Sequence, residues 1–161
     1  MNYNPGLYVF EGADGVGKTS TINCLYDLLR AKNIEVEKFG FPGYEPDTLG
    51  NLIYRIHNSE GYNVIDKIEP VSLQLLHIAA HIDSIVKFIR PAYDQGKIIL
   101  LDRFWWSTVI YGLTSGVEAD ILQQLLEIEK HYWGTINPTR IYLITRTLGP
   151  LKKVNIEKWY S

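Results

Sequence analysis

The stretch Gly12-Ala13-Asp14-Gly15-Val16-Gly17-Lys18-Thr19 decides the fold, because it matches the pattern G-x-x-x-x-G-K-[ST] without a gap. It directly follows Leu7-Tyr8-Val9-Phe10-Glu11, an aromatic and β-branched run that predicts a buried first strand. After it, apolar residues recur at helical spacing, which predicts a helix over residues 18–32. A strand, a glycine loop and a helix in this order predict a phosphate-binding loop.

The residue types in this loop have a chemical reason. Glycines let consecutive backbone N–H groups point at one anion, and the positive end of the following helix points at the same place. Lys18 is expected to reach the terminal phosphates, and the Thr19 hydroxyl is expected to bind a Mg²⁺ that keeps several waters. ATP or GTP is therefore the expected ligand. The residues predicted to bind its phosphates are Gly12, Gly15, Val16, Gly17, Lys18, Thr19 and Ser20.

Strands and helices alternate along the rest of the chain. Further strands are predicted over 34–39, 97–102 and 140–145, and further helices over 48–57, 71–95 and 118–132. The run over 97–102 is continuously apolar and ends in an acid, as in a central parallel strand covered on both faces. This order predicts an α/β protein with the three-layer α/β/α P-loop NTPase fold and a parallel sheet of four strands.

Composition narrows the class of protein. The 161 residues are enough for one domain over 1–161, and a formal net charge of −2 does not favour polymeric nucleic acid as a partner. Cys24 is the only cysteine, which favours a reducing compartment. No apolar stretch approaches the ~20 residues of a membrane helix, and the first residues lack a signal pattern. A cytoplasmic protein with no membrane contact is expected.

A second group of candidate residues follows the apolar run over 97–102. Asp102 ends this predicted strand and Arg103 follows it, at the sheet edge where open α/β sheets bind ligands. A carboxylate there can hold magnesium through water or orient an acceptor, and a guanidinium can clamp a phosphate. The alternative is a surface ion pair or a helix cap.

These residues together resemble the thymidylate kinases. Phe10 to Thr19 is similar to the family's P-loop, which has an acid at the position of Asp14. Phe41-Pro42 resembles the turn after the family's second strand, and Asp102-Arg103-Phe104 resembles its Asp-Arg-Tyr motif. Tyr111 lies where the family has an aromatic residue one helix further on. The points of similarity span residues 7–112 in the right order.

The resemblance implies transfer of the γ-phosphoryl group of Mg-ATP to dTMP or a related nucleoside monophosphate. It implies a catalytic centre of Lys18, Asp102 and Arg103, with Thr19 and Asp102 at the Mg²⁺ and Arg103 at the acceptor phosphate. The residues that it implies for acceptor binding are Asp14, Phe41, Pro42, Arg55, His77, His81, Arg103 and Tyr111. Since the family dimerises through helices, a homodimer is expected.

The sequence departs from the family at two places. His77 lies where the family has a phenylalanine that stacks on thymine, and His81 lies where it has a base-reading arginine, so the acceptor base stays open. Residues 151–160 are expected to form at most one lid helix, with Arg146, Lys152 and Lys153 as candidate phosphate cations. The family's fifth strand is expected to be absent. A kinase for a nucleoside and a non-catalytic nucleotide-binding module are the two alternatives.

Overall fold

The computed structural model describes residues 4–58 and 68–146 of the chain. The strands are β1 (Gly6–Glu11), β2 (Val36–Gly40), β3 (Ile98–Asp102) and β4 (Pro138–Leu143). The helices are α1 (Lys18–Ala31), α2 (Leu49–Asn58), α3 (Pro70–Ser84), α4 (Arg90–Asp94), α5 (Trp105–Thr114) and α6 (Ala119–Trp133). The four predicted strands are confirmed, and their ends differ from the predicted ends by two residues at most.

The four strands form one parallel sheet in the order β2-β3-β1-β4. In the register of this sheet, Asp102 at the end of β3 pairs with Phe10 of β1 on one side and with Gly40 of β2 on the other. The loops that follow β1, β2 and β3 therefore leave the sheet at one edge. This edge brings together the sequence segments on which the predicted site depends.

Alternating side chains bury both faces of the sheet. Leu7 and Val9 of β1 lie on one face, and Tyr8 and Phe10 lie on the other. The first face packs against helical residues that include Ile85, Ile89, Ala92 and Trp133. The second face packs against α1 through Ile22. Burying one large aliphatic side chain contributes about 1.5–3 kcal/mol. Since helices cover both faces, the predicted three-layer α/β/α fold is confirmed.

The helix predicted over 71–95 is not one regular helix. A π-helical turn, Ile85–Ile89, lies between α3 and α4, and the Arg90 N–H donates to the carbonyl of Ile85, five residues back. Pro91 follows directly, has no N–H of its own, and cannot approach the carbonyl four residues before it. The wider turn removes this conflict without ending the helical path. Helical periodicity alone does not distinguish the two kinds of turn.

Helix α5 does not appear among the helices predicted from periodicity. Its first residue, Trp105, packs against the core on the face of the sheet that contains Leu7 and Val9, whereas the next residue, Trp106, is 39% exposed. The helix is apolar on most sides, so it has no clear polar stripe in the sequence. Within residues 4–58 and 68–146, every helix is too short or too polar to cross a bilayer. The lid helix predicted over 151–160 lies outside the described residues.

Candidate active site

The glycine loop links β1 to α1, as its pattern predicts. Gly12, Gly15 and Gly17 have φ angles of 146°, 75° and 103°, which L side chains rarely adopt. At Gly12 there is also no room, because a Cβ would lie 2.3 Å from the carbonyl oxygen of Ile144 beyond β4. Helix α1 begins at Lys18, so its free N–H groups face the loop. The backbone thus forms a glycine turn before the helix N-terminus, a geometry that can hold an anion.

Lys18 lies against the loop and not in solvent. Its Nζ donates hydrogen bonds to the carbonyl oxygens of Gly12 and Ala13, at 2.9 and 2.8 Å, and the residue is 6% exposed. Burial lowers the pKa of Lys18 below its ordinary value, and the nearby Arg103 guanidinium lowers it further. Two carbonyls hold the ammonium group beside the amides, where it can neutralise a bound phosphate.

Thr19 and Asp102 meet across the site. The Thr19 Oγ1 donates to Asp102 Oδ2 at 2.5 Å, although the two residues are 83 positions apart. Asp102 is 7% exposed at the end of β3. A hydroxyl and a carboxylate at one point are the hard oxygen donors that Mg²⁺ prefers, and Mg²⁺ fills its other positions with water and phosphate oxygens. The two residues predicted to hold magnesium therefore fit the ion.

Asp14, Arg103 and Tyr111 form one cluster. The Arg103 Nη2 donates to Asp14 Oδ1, and the Tyr111 hydroxyl donates to Asp14 Oδ2 at 2.8 Å. The guanidinium carbon of Arg103 lies 5.7 Å from the centre of the Tyr111 ring. Burial raises the pKa of Tyr111, and the hydrogen bond to Asp14 raises it further. Three residues predicted from separate motifs thus contact one another beside the P-loop.

Three residues near this cluster escape the sequence prediction. Glu11 is 5% exposed and Ser107 is 9% exposed, and both are hydrogen-bonded between β1 and α5. Tyr44 lies over the end of β2, where a Cβ on Gly40 would meet its hydroxyl at 1.9 Å. Burial raises the pKa of Tyr44 to about 12, with a smaller effect from the charge of Asp102. An acid that ends a buried strand is a signal for Glu11, whereas no spacing indicates Tyr44.

The predicted acceptor residues on α2 and α3 lie in a different environment. His77 is half-buried, and its Nε2 lies 3.0 Å from the Nε2 of His57 on α2. Burial lowers the pKa of His77 to about 3, with smaller effects from His81 and His57. The ring is therefore neutral near pH 7. Arg55 is exposed on α2, and its predicted phosphate contact stays a prediction.

His81, which the resemblance implies for acceptor binding, is buried and has partners inside the protein. It is 3% exposed, and its ring stacks on Phe41 with centroids 3.9 Å apart. Its Nδ1 lies 2.8 Å from Glu129 Oε2, and Glu129 Oε1 accepts a hydrogen bond of 3.0 Å from Trp133 Nε1. The buried carboxyl of Glu129 on α6 draws the imidazole into the core. A residue count along one helix contains no information about this partner.

Known proteins share both the sequence pattern and the fold. The family model described as thymidylate kinase matches residues 10–144. The chain belongs to the thymidylate kinase family. The thymidylate kinase of Desulfotalea psychrophila is 33% identical over 127 residues, which cover 77% of this chain and 58% of the relative. That of Exiguobacterium sibiricum is 30% identical over 144 residues, which cover 89% of this chain and 64% of the relative.

A solved member of the thymidylate kinase family has the same fold. The crystal structure of thymidylate kinase from Ehrlichia chaffeensis superposes with a TM-score of 0.73 at 24% identity. The superposition covers 98% of this chain and 82% of that chain. By sequence, this member of the thymidylate kinase family spans about 60% of the length of the two relatives named above.

Proposed function

We propose that the chain carries the phosphoryl-transfer centre of a nucleoside monophosphate kinase. It transfers the γ-phosphoryl group of Mg-ATP to dTMP or to a closely related nucleotide. Membership of the thymidylate kinase family over residues 10–144 supports this substrate class. Relatives named thymidylate kinase at 33% and 30% identity support it as well.

One observation carries the proposal. The P-loop and Lys18 lie beside Asp102 and Arg103 at one edge of the sheet, and this supports a donor site next to an acceptor site. The Thr19 to Asp102 hydrogen bond of 2.5 Å joins the two sides directly. A P-loop that only stores a nucleotide does not require a guanidinium at this place. Phosphoryl transfer does require cations around the moving group.

The reaction needs positioning and charge neutralisation more than covalent chemistry. The bond between the γ-phosphorus and its bridging oxygen breaks, a phosphate oxygen of the acceptor forms the new bond, and ADP leaves. Lys18 neutralises the charge on the transferring group, and the loop amides orient the donor phosphates. Thr19 and Asp102 would hold Mg²⁺, which supplies additional charge neutralisation at the phosphates when bound.

Arg103 has the role of the acceptor-phosphate clamp in this proposal. Its guanidinium lies beside the P-loop, and Asp14 and Tyr111 fix its position from one side. Asp14 keeps oxygen lone pairs that can accept from a sugar hydroxyl of the acceptor. The half-buried His77 is a candidate contact to the base. His81 has no part in this proposal, because its imidazole already bonds to Glu129 and stacks on Phe41.

A panel of acceptors tests the proposal. The chain is incubated with Mg-ATP and one nucleoside or nucleoside monophosphate at a time, and ADP release is measured. We expect release that depends on dTMP or on a related monophosphate. Release that depends on a nucleoside alone would move the function to a nucleoside kinase. Tight ATP binding without turnover on any acceptor would reject the enzymatic role.

We also propose that the protein acts in the cytosol as a homodimer. Exposed apolar side chains on three helices support self-association. They are Leu75, Leu76, Ile110, Leu113 and Ile128. Sedimentation velocity at several concentrations tests the dimer, and a monomer at all of them contradicts it.

A further inference from the structure

A buried chain of hydrogen bonds connects the first strand to the candidate clamp. Arg103 Nη1 donates to Ser107 Oγ at 2.9 Å, and Ser107 Oγ donates to Glu11 Oε2 at 3.0 Å. The other carboxyl oxygen of Glu11 accepts from the backbone N–H of Phe104 at 2.8 Å. Glu11, Phe104 and Ser107 are all buried. The three contacts link the end of β1, the loop after β3 and the first turn of α5.

The chemistry of the groups decides which one donates and which one accepts in each of these hydrogen bonds. A serine hydroxyl has one proton and two lone pairs, and an ionised carboxylate only accepts. The Ser107 proton therefore goes to Glu11, which leaves a lone pair of the oxygen to accept from Arg103. A charge-assisted hydrogen bond of this kind is stronger than a neutral one, and it fixes the plane of the guanidinium.

The backbone of Arg103 needs such support. Its φ angle is 74°, in the left-handed region that a residue with a side chain rarely adopts. Its N–H donates to the carbonyl oxygen of Phe10 at 2.9 Å, which holds the main chain against β1. Strained conformations persist only where several contacts fix them. Without an anchor on the side chain, the guanidinium would be free to rotate out over the loop.

We propose that Glu11 and Ser107 are positioning residues that hold the Arg103 guanidinium toward the P-loop before any nucleotide binds. The inference rests on the proposed function, since it makes Arg103 a preorganised clamp for an acceptor phosphate. Preorganisation matters because a flexible arginine loses side-chain freedom when it binds a phosphate. Asp14 holds the guanidinium from the solvent side, whereas Glu11 and Ser107 hold it from the interior.

A plainer role for Glu11 is to cap the first turn of α5. Its bond to the Phe104 N–H is of this type, because Phe104 is the residue before the helix. The two roles separate at Ser107. Replacing Ser107 with alanine leaves the bond between Glu11 and the Phe104 N–H in place and removes the contact that holds Arg103 from the interior.

Kinetics of Ser107→Ala in the full chain test the inference. We expect the kcat/KM for the acceptor to fall about tenfold, since a hydrogen bond to a charged group is lost, while the KM for Mg-ATP stays unchanged. Thr114→Ala is the matched control, because its hydroxyl lies in the same helix and bonds only to carbonyls of that helix. Equal acceptor kinetics in the two variants would overturn the proposal.

A second measurement needs no catalysis. In nucleotide-free ¹⁵N-labelled protein, the guanidinium N–H signals of Arg103 are expected to be resolved and slow to exchange with water. Ser107→Ala and Glu11→Gln should both speed this exchange about tenfold. The first removes the hydroxyl that accepts from Arg103, and the second replaces one of the accepting carboxylate oxygens of Glu11 with an amide nitrogen. Unchanged exchange in both variants rejects the positioning role. If the wild-type chain transfers no phosphoryl group, the proposed function fails, and the exchange measurement still decides about Glu11 and Ser107.

Discussion

Two regions of the molecule that were both predicted to bind substrate have different structures. The phosphate side contains the P-loop, Asp102, Arg103 and Tyr111, and its polar side chains contact one another at one edge of the sheet. The histidine side contains His77 and His81, for which the resemblance implies acceptor binding, and also His57, for which it does not. The rings of His57 and His77 contact each other, and the ring of His81 stacks on Phe41. On the first side the hydrogen bonds point toward a shared site. On the second side, His81 bonds to the buried Glu129, and His57 and His77 contact each other between α2 and α3.

The difference shows which kind of sequence argument is reliable. The phosphate side follows from motifs at the ends of parallel strands, and parallel strands bring their carboxyl ends to one edge whatever else changes. The histidine side follows from counting along a helix. Such a count predicts the face of the helix on which a residue lies, but it does not identify the group that packs on that face.

The largest effect is expected for Lys18→Met, which tests the phosphate side directly. Loss of the ammonium that two loop carbonyls hold should reduce phosphoryl transfer about a thousandfold, because this charge neutralises the transferring phosphoryl group. Steady-state ADP release measures it. Lys32→Ala removes an exposed lysine just after α1 and serves as the control. A Lys18→Met variant that keeps its rate would refute the catalytic role of the loop.

The next largest effect is expected on stability, at the buried partner of the histidine side. Glu129→Ala leaves His81 Nδ1 and Trp133 Nε1 without their acceptor, which should cost about 3 kcal/mol of unfolding free energy. Urea titration measures it. Glu127→Ala on the same helix breaks only an exposed pair with Lys130 and should change stability by less than about 1 kcal/mol. If the loss of unfolding free energy in Glu129→Ala is as small as that in Glu127→Ala, the buried network is not stabilising.

Arg103→Ala separates acceptor binding from donor binding. The kcat/KM for the acceptor should fall about thirtyfold, since a charge-assisted contact to phosphate is lost, while the affinity for Mg-ATP stays nearly intact. Initial rates at varied acceptor and isothermal titration with ATP measure the two quantities. Arg30→Ala, at an exposed position on α1, is the control. If acceptor kinetics are unchanged, Arg103 is not the clamp.

The smallest effect is expected for the pH dependence of stability at His77. Its folded pKa of about 3 lies below the ordinary value of 6.5, so the unfolded chain binds the proton more readily between these values. Stability should therefore fall as the pH drops through this window, by about 2 kcal/mol between pH 7 and pH 5 from this residue alone.

Urea unfolding of His77→Gln at both pH values measures this contribution. The variant should lose most of the decrease, because glutamine does not titrate. Ser72→Gln adds the same side chain at an exposed position of α3 and should keep the wild-type profile. A His77→Gln profile with the full wild-type slope would show that the ring is not a source of the decrease.

Most of the fold is predictable from the sequence, and the exceptions have local causes. The strands at 6–11 and 98–102 are predictable because each is a short run of mainly apolar residues, as expected for strands that helices cover on both faces. The π-helical turn before Pro91 and the apolar helix α5 are not, because neither changes the hydrophobic period in a recognisable way. In the site, the P-loop, Asp102 and Arg103 are predictable, and the part played by Ser107 is not.

The sequence by itself determines the phosphate-binding loop, the parallel sheet and the place of Asp102 and Arg103 beside that loop. Each of these depends on residues close together in the chain or on the common direction of parallel strands. Only the tertiary structure decides that His81 pairs with Glu129 and that Glu11 reaches Ser107, 48 and 96 positions away. Such pairs form where packing excludes water and a buried polar group must find a partner, and neither condition is present in a linear pattern.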